Sequence, residues 1–175
     1  MSLADRVRHP AFLERVMSAE EAAKLIPAGA NVGMSGFTGA GHPKAVPQAI
    51  AAHAKAEHAA GKPYKINLWT GASTAPELDG ALAAANALGQ RLPFNTDPIC
   101  RNKINTGEID FIDMHLSHVA QHAWFGFLGP LHVAVIEVLG VTADGLLIPA
   151  AAVGNNKPWL AIADKVILEV NTKPS

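Results

Sequence analysis

Ser35-Gly36-Phe37-Thr38-Gly39-Ala40-Gly41-His42-Pro43 decides how this chain is read. Apolar residues 30–34 run into it, and an alanine-rich stretch with helical character follows. Strand, glycine loop and helix in that order leave backbone N–H groups beside a helix N-terminus, where an anionic ligand can be held. A loop so poor in side chains lets something large or planar approach the main chain. The spacing G-x-x-G-x-G is not the dinucleotide fingerprint, and no G-K-[ST] follows for a phosphate loop. Two readings stay open here: a plain structural turn, or a ligand loop to which the Ser35 and Thr38 hydroxyls contribute.

Working outward, Ser18-Ala19-Glu20-Glu21 has the form of a capping box and opens a helix that Pro27-Ala28-Gly29 stops. Residues 30–34 read as a buried strand, and residues 45–60 as a helix ended by Gly61-Lys62-Pro63. A strand over 65–70, a loop over 71–74 and a helix over 76–87 come next. Asp97-Pro98 joins an N-cap to a proline at the first helical position, which predicts a short helix over 99–104. Strands are expected at 109–114, at 131–138, which is rich in valine and isoleucine, and at 166–170. Asp144-Gly145 predicts a tight turn between two short strands, and residues 159–163 a helix.

Apolar strands alternating with helices imply right-handed crossovers, hence an α/β fold whose mostly parallel sheet carries helices on both faces. Ligands bind such sheets outside the carboxyl ends of the strands. The turns at Ser35 to His42, Gly71 to Thr74, Asn95 to Asp97 and Gly154 to Asn156 are therefore expected to converge on one rim. The chain ends at Thr172-Lys173-Pro174-Ser175, just after a strand expected to be central. That leaves its covering element missing and suggests a fragment.

Composition narrows the classes. At 175 residues the chain suits one domain with a real core. Hydrophobic residues at 49% and charged residues at 17% lean apolar. The longest apolar run, 131–139, is broken by His132 and Glu137 and is too short to span a bilayer. No secretory signal is visible, and the single cysteine, Cys100, forbids an internal disulfide. These points predict a cytoplasmic protein with no membrane attachment. A formal net charge of −1 with no basic cluster argues against nucleic acid.

Several side chains carry candidate chemistry. Ser73 and Thr74 read either as a cap for the next helix or, at Ser73, as a carboxylate donor. Thr96 is a spare hydroxyl beside the capping Asp97. His115, His118 and His122 share a face if residues 116–124 are helical. That spacing suits zinc or an interface, but no Cys or Glu completes the set and no metal is assigned. Cys100 has Arg101 and Lys103 as neighbours that could lower its pKa, but no histidine is at hand as its base, and a lone cysteine in a helix reads as inert. Glu137, inside a strand, needs a basic partner or a place in the site.

Four motifs in the same order now resemble a known family. They are Ser35 to Gly41 with Pro43-Lys44 and Val46-Pro47; Thr70 to Thr74 with Leu78-Asp79-Gly80; Pro93 to Asp97 with Arg101-Asn102; and Val153-Gly154-Asn155 before Lys165-Val166-Ile167. Together they resemble the N-terminal part of the acetyl-CoA hydrolase/transferase family, class I CoA-transferases that include succinyl-CoA:acetate CoA-transferase. The resemblance covers essentially the whole of residues 1–175.

It implies a CoA-transferase domain of the NagB/RpiA-like kind, followed by a second, related domain. A glutamate of that second domain would attack the acyl-CoA thioester and carry coenzyme A as a glutamyl thioester. No catalytic residue is therefore expected in this chain. Ser73 and Thr96 match positions that help bind the carboxylate, and Gly36, Phe37, Thr38, Gly39, Ala40 and Gly41 match the glycine loop lining the cleft. His42 stands where relatives have an aromatic residue. Coenzyme A or acyl-CoA enters as substrate, with no covalently bound cofactor. The implied partners are a small carboxylate such as acetate or succinate, the second domain, and further copies in a homo-oligomer. The alternative is a non-catalytic binding or assembly subunit pairing with a chain that carries the nucleophile; a sugar-phosphate isomerase-like protein is a third possibility.

Overall fold

The computed structural model describes residues 2–172. The last three residues of the expected fragment boundary lie outside that range. Two short helices, α1 (Leu3–Arg6) and α2 (Pro10–Leu13), lead to α3 (Ala19–Lys24). The capping box at α3 forms as read: Ser18 Oγ accepts from Glu21 N, and the Glu21 carboxylate accepts from Ser18 N. Then follow β1 (Asn31–Met34), the two-residue β2 (Phe37–Thr38), α4 (Ala45–Ala59), β3 (Ile66–Trp69) and a second two-residue strand, β4 (Ala72–Ser73). A single wide turn of π-helix, Pro76–Gly80, runs into α5 (Ala81–Ala84). The remainder is β5 (Leu88–Leu92), α6 (Pro98–Asn105), β6 (Asp110–Phe111), α7 (Leu116–Trp124), β7 (Val133–Val141), β8 (Leu147–Pro149), α8 (Asn156–Ile162) and β9 (Lys165–Val170).

The main sheet runs β6-β5-β3-β1-β7, all parallel, as the alternation predicted. Residues Val133 to Val135 pair with β1 on one side and with β9 on the other, again in parallel. The last strand is thus not central: among the described residues β9 pairs with β7 alone. β8 adds antiparallel to the far end of β7 across the predicted Asp144-Gly145 turn.

Period-two alternation in β7 divides the core. Val133 and Val135 join α3, α4 and α5 in one cluster, with Val32, Ile66 and Leu68. Ala134, Ile136 and Val138 point into the other, with Val119, Ala123 and Trp159 from α7 and α8. Both faces are therefore covered, as parallel strands require. Gly33 leaves room for the Trp159 ring, which a methyl there would meet at 3.0 Å.

Three elements differ from expectation. The helix predicted over 76–87 is cut short because Asn86 takes a left-handed φ of 54° and the chain re-enters the sheet as β5. Its start is a wide turn because the Ala75 carbonyl accepts from Leu78, Asp79 and Gly80 together. The strand expected over 109–114 is only the two-residue β6, while the central one extends to Val141.

Candidate functional site

The turns after β1, β3 and β5 all leave the carboxyl edge of the sheet, and the structure brings them together. Phe37 and Thr38 form a parallel ladder with Ala72 and Ser73. Thr74 N donates to Thr38 O at 3.2 Å. Thr96 N donates to Thr74 Oγ1 at 3.2 Å, and the two hydroxyls lie 3.4 Å apart. The fourth turn joins them: a methyl on Gly71 would sit 3.4 Å from the Gly36 carbonyl and 3.5 Å from Gly154 Cα. Ser73, Thr96 and the glycine loop are neighbours, as the convergence argument required.

Within the glycine loop the labour is divided. Ser35 is fully buried; its hydroxyl donates to Gly41 O and accepts from Glu137 N, both at 2.8 Å. It closes the loop and has no hydroxyl to spare for a ligand, so of the two expectations for Ser35 the structural one holds and the ligand one falls. Gly36 and Gly41 are buried too. A side chain on Gly36, at φ 107°, would meet His42 N at 2.7 Å, and one on Gly41 would run into the Ala152 carbonyl. The exposed part is Phe37, Thr38 and Gly39, turned by reciprocal hydrogen bonds between Phe37 and Ala40. Thr38 adopts φ 48°, a costly conformation for a β-branched residue and a sign of a constrained tip.

Ser73 corrects a second expectation. Its side chain is fully buried rather than exposed, and its Oγ has no hydrogen-bond partner. Neither Ser73 nor Thr74 caps the following turn: the N-cap there is Ala75, whose N–H goes to Asp79 Oδ2 at 3.1 Å. Thr96 is exposed beside Asp97, which caps α6 by accepting from Ile99 N and Cys100 N at 2.9 Å each. Beneath these turns lies an ion pair that the sequence reading missed. Arg91 Nε donates to Asp79 Oδ1 at 2.6 Å, with both side chains fully buried. A lone arginine within a short strand reads as surface, so the only available signal was the carboxylate of the Leu78-Asp79-Gly80 motif.

The helix N-terminus behind the loop is not open to an anion. The Glu169 carboxylate already accepts from Lys44 N, Ala45 N and Val46 N at 2.6, 3.1 and 2.8 Å. An acidic side chain from β9 thus fills the position that the strand–loop–helix order offered to a ligand. Glu137 is paired structurally, as favoured, accepting from Lys44 Nζ at 2.9 Å. Neither glutamate is free to act as nucleophile. His42, almost fully buried, meets Glu77 at 3.0 Å through Nε2. Glu77 is held below its ordinary range, first by its own backbone N–H and also by that ring.

A family model described as the acetyl-CoA hydrolase/transferase N-terminal domain matches residues 1–175. The chain belongs to that family. It is 46% identical over 155 residues to a propanoyl-CoA:succinate CoA transferase of Escherichia coli, covering 89% of this chain and 32% of the relative. It is 39% identical over 166 residues to a succinyl-CoA:acetate CoA-transferase of Clostridium kluyveri, covering 95% and 30%. This chain therefore spans about a third of the length of the curated relatives it matches. Other relatives, among them one from Yarrowia lipolytica at 37% identity, are named acetyl-CoA hydrolases. Among solved structures, the decarboxylase AibA/AibB superposes with a TM-score of 0.68 at 16% identity, over 91% of this chain and 77% of that one. That likeness is of fold.

Elsewhere in this family member, the histidine set lies along α7 as its spacing implied, with ring centroids 5.4 and 6.2 Å apart. His115 is the N-cap of α7, and its Nδ1 lies 2.7 Å from the Ser117 hydroxyl. No group of three or more metal-ligating side chains is assembled among the described residues. Cys100 is buried and follows the inert reading rather than the one its basic neighbours offered. Burial, reinforced by the Asp79 charge, pushes its thiol up to about 12, and Arg91 only partly opposes this.

Proposed function

We propose that this chain is the N-terminal domain of an enzyme that moves coenzyme A between an acyl-CoA and a small carboxylate such as acetate or succinate, or hydrolyses acetyl-CoA. The observation that carries the reading is the buried, unpartnered Ser73 hydroxyl, set beside the Thr74–Thr96 pair and the bare Phe37–Gly39 tip. A buried hydroxyl with no partner is an unmet donor, and a carboxylate oxygen is a strong acceptor for it. Ser73 and Thr96 would then orient the carboxylate by donated hydrogen bonds. The exposed main chain of the loop, above all Phe37 to Ala40, would line the cleft for acyl-CoA. The resemblance to the family assigns the reacting carboxylate to a second domain or a partner chain; Glu137 and Glu169 at this rim are committed to Lys44 and α4.

The test is an assay of the full-length protein with succinyl-CoA and acetate. Ser73→Ala and Thr96→Ala should each lose about 1.5–3 kcal/mol of carboxylate or transition-state binding, seen in kcat/KM for the carboxylate. Unchanged kinetics would remove both residues from the site. The 175-residue chain alone should show no turnover; activity from it would overturn the assignment of the nucleophile to another domain.

A further inference from the structure

Arg91 is spent in a way that stability alone does not explain. Its guanidinium is fully buried and fans out to four acceptors: Asp79 Oδ1 from Nε at 2.6 Å, Thr70 Oγ1 from Nη1 at 3.0 Å, the Leu92 carbonyl also from Nη1, and Ser73 O from Nη2 at 2.8 Å. Thr70 Oγ1 in turn donates to Ser73 O at 3.2 Å, and Asp79 Oδ2 accepts from Ala75 N. Desolvating such a pair consumes most of what its attraction returns, and well-packed apolar residues often serve a fold as well. What an apolar cluster does not supply is directional hold. Here the fork and its carboxylate grip the turn at residues 70–75 at its start, its middle and its end. The same guanidinium holds the last residue of β5, three residues before Asn95 and four before Thr96.

We propose that Arg91 is a positioning residue that aims the Ser73 hydroxyl, acting through the Ser73 carbonyl; this rests on the reading of Ser73 as a carboxylate donor. Both sides of Ser73 are then constrained: its carbonyl by Arg91 and Thr70, and its strand by the ladder to Thr38. Its Oγ alone is left without a partner. Lysine cannot replace this hold. It would keep the charge, but an ammonium on a flexible stem does not offer the planar fork that reaches Asp79, Thr70 and Ser73 together.

The experiment is a double-mutant cycle in the full-length protein, reading KM for acetate, KM for succinyl-CoA, kcat and the thermal midpoint. Arg91→Lys should raise the acetate KM by about tenfold or more while the succinyl-CoA KM stays within about twofold. Ser73→Ala should add less than about twofold to the acetate KM once Arg91→Lys is present, because both changes remove the same aimed hydroxyl. Thr70→Val takes away one of the Arg91 acceptors together with Thr70's own bond to Ser73 O, and leaves the ion pair intact. It should raise the acetate KM by about threefold, and it decides the matter if Arg91→Lys does not fold. Effects of Arg91→Lys and Ser73→Ala that multiply, or an unchanged acetate KM in the folded Arg91→Lys or Thr70→Val protein, would overturn the proposal and leave Arg91 a structural residue. Failure of the underlying reading looks different: Ser73→Ala alone would then leave the acetate KM unmoved.

Discussion

Lys44 Nζ lies 2.9 Å from Glu137 Oε1, tying the residue that begins the helix behind the glycine loop to the middle of the central strand. Glu137 is almost completely buried, whereas Lys44 is 43% exposed. The lysine also donates to the His42 carbonyl at 2.8 Å, so it braces the exit of the loop as well as neutralising the carboxylate.

Removing that cation should therefore cost more than removing the anion. Lys44→Met leaves Glu137 with a buried charge and should lower stability by about 1–3 kcal/mol in urea unfolding. Glu137→Gln frees Lys44 to turn to solvent and should cost less. Equal losses from the two changes would show that Glu137 is not held as an anion by Lys44.

Glu169 supplies a second test. Three backbone N–H groups at the start of α4 depend on its carboxylate. Glu169→Ala should lose about 1–2 kcal/mol, and Glu169→Gln a fraction of that, because the amide oxygen can still accept. A thermal midpoint unmoved by the alanine change would argue against the cap.

Alkaline pH should weaken the fold through two buried groups. Burial pushes the Tyr64 phenol up to about 12, with the Glu57 charge adding to it, and pushes the Cys100 thiol up to about 12 as well. Both folded values lie above the unfolded ones, so the neutral forms favour the folded state. Their contribution is fully present below about pH 8.5 and is lost as pH rises towards about 12. Urea midpoints should fall across that window, and less steeply in Tyr64→Phe, although that change also removes the bond to Ile26 O. Cys100 should resist iodoacetamide at about pH 8, where its buried thiol stays protonated in the folded chain. Rapid alkylation without unfolding would refute its burial.

The glycines give a paired prediction. A methyl on Gly39 meets nothing within 4 Å, and its φ is unexceptional, while one on Gly41 would collide with the Ala152 backbone at a φ of 67°. Gly41→Ala should destabilise by several kcal/mol or fail to fold. Gly39→Ala should leave stability within about 0.5 kcal/mol and raise the KM for acyl-CoA if the ligand lies on the loop tip. An unchanged KM for both substrates would take Gly39 out of the cleft.

Much of the frame was legible because it is local. The strand–glycine–helix order placed β1 and α4, the Ser18 and Asp97 caps appeared where their side chains predicted, and the alternation of elements gave a parallel sheet covered on both faces. What escaped was long-range. Glu169 caps a helix that begins 125 residues earlier in the chain, and nothing in Ala45-Val46-Pro47 announces that its free N–H groups are taken. Arg91 reads as a surface cation until Asp79, 12 residues away, is folded against it. Arg101 and Lys103 are the neighbours of Cys100 along the chain, but in space burial acts on its thiol first, with the Asp79 charge next and Arg91 opposing. The meeting of the Ser73-Thr74 turn with Thr96, made through Thr74, was expected from the rim argument alone. The burial of Ser73 was not, since it depends on which way a two-residue strand turns.

The miniature ladder of Phe37–Thr38 with Ala72–Ser73 stands apart from the main sheet. It joins the exposed loop tip to the buried turn that carries Ser73. A ligand that pressed on the loop tip would therefore move the Ser73 turn with it, gearing one contact mechanically to the other.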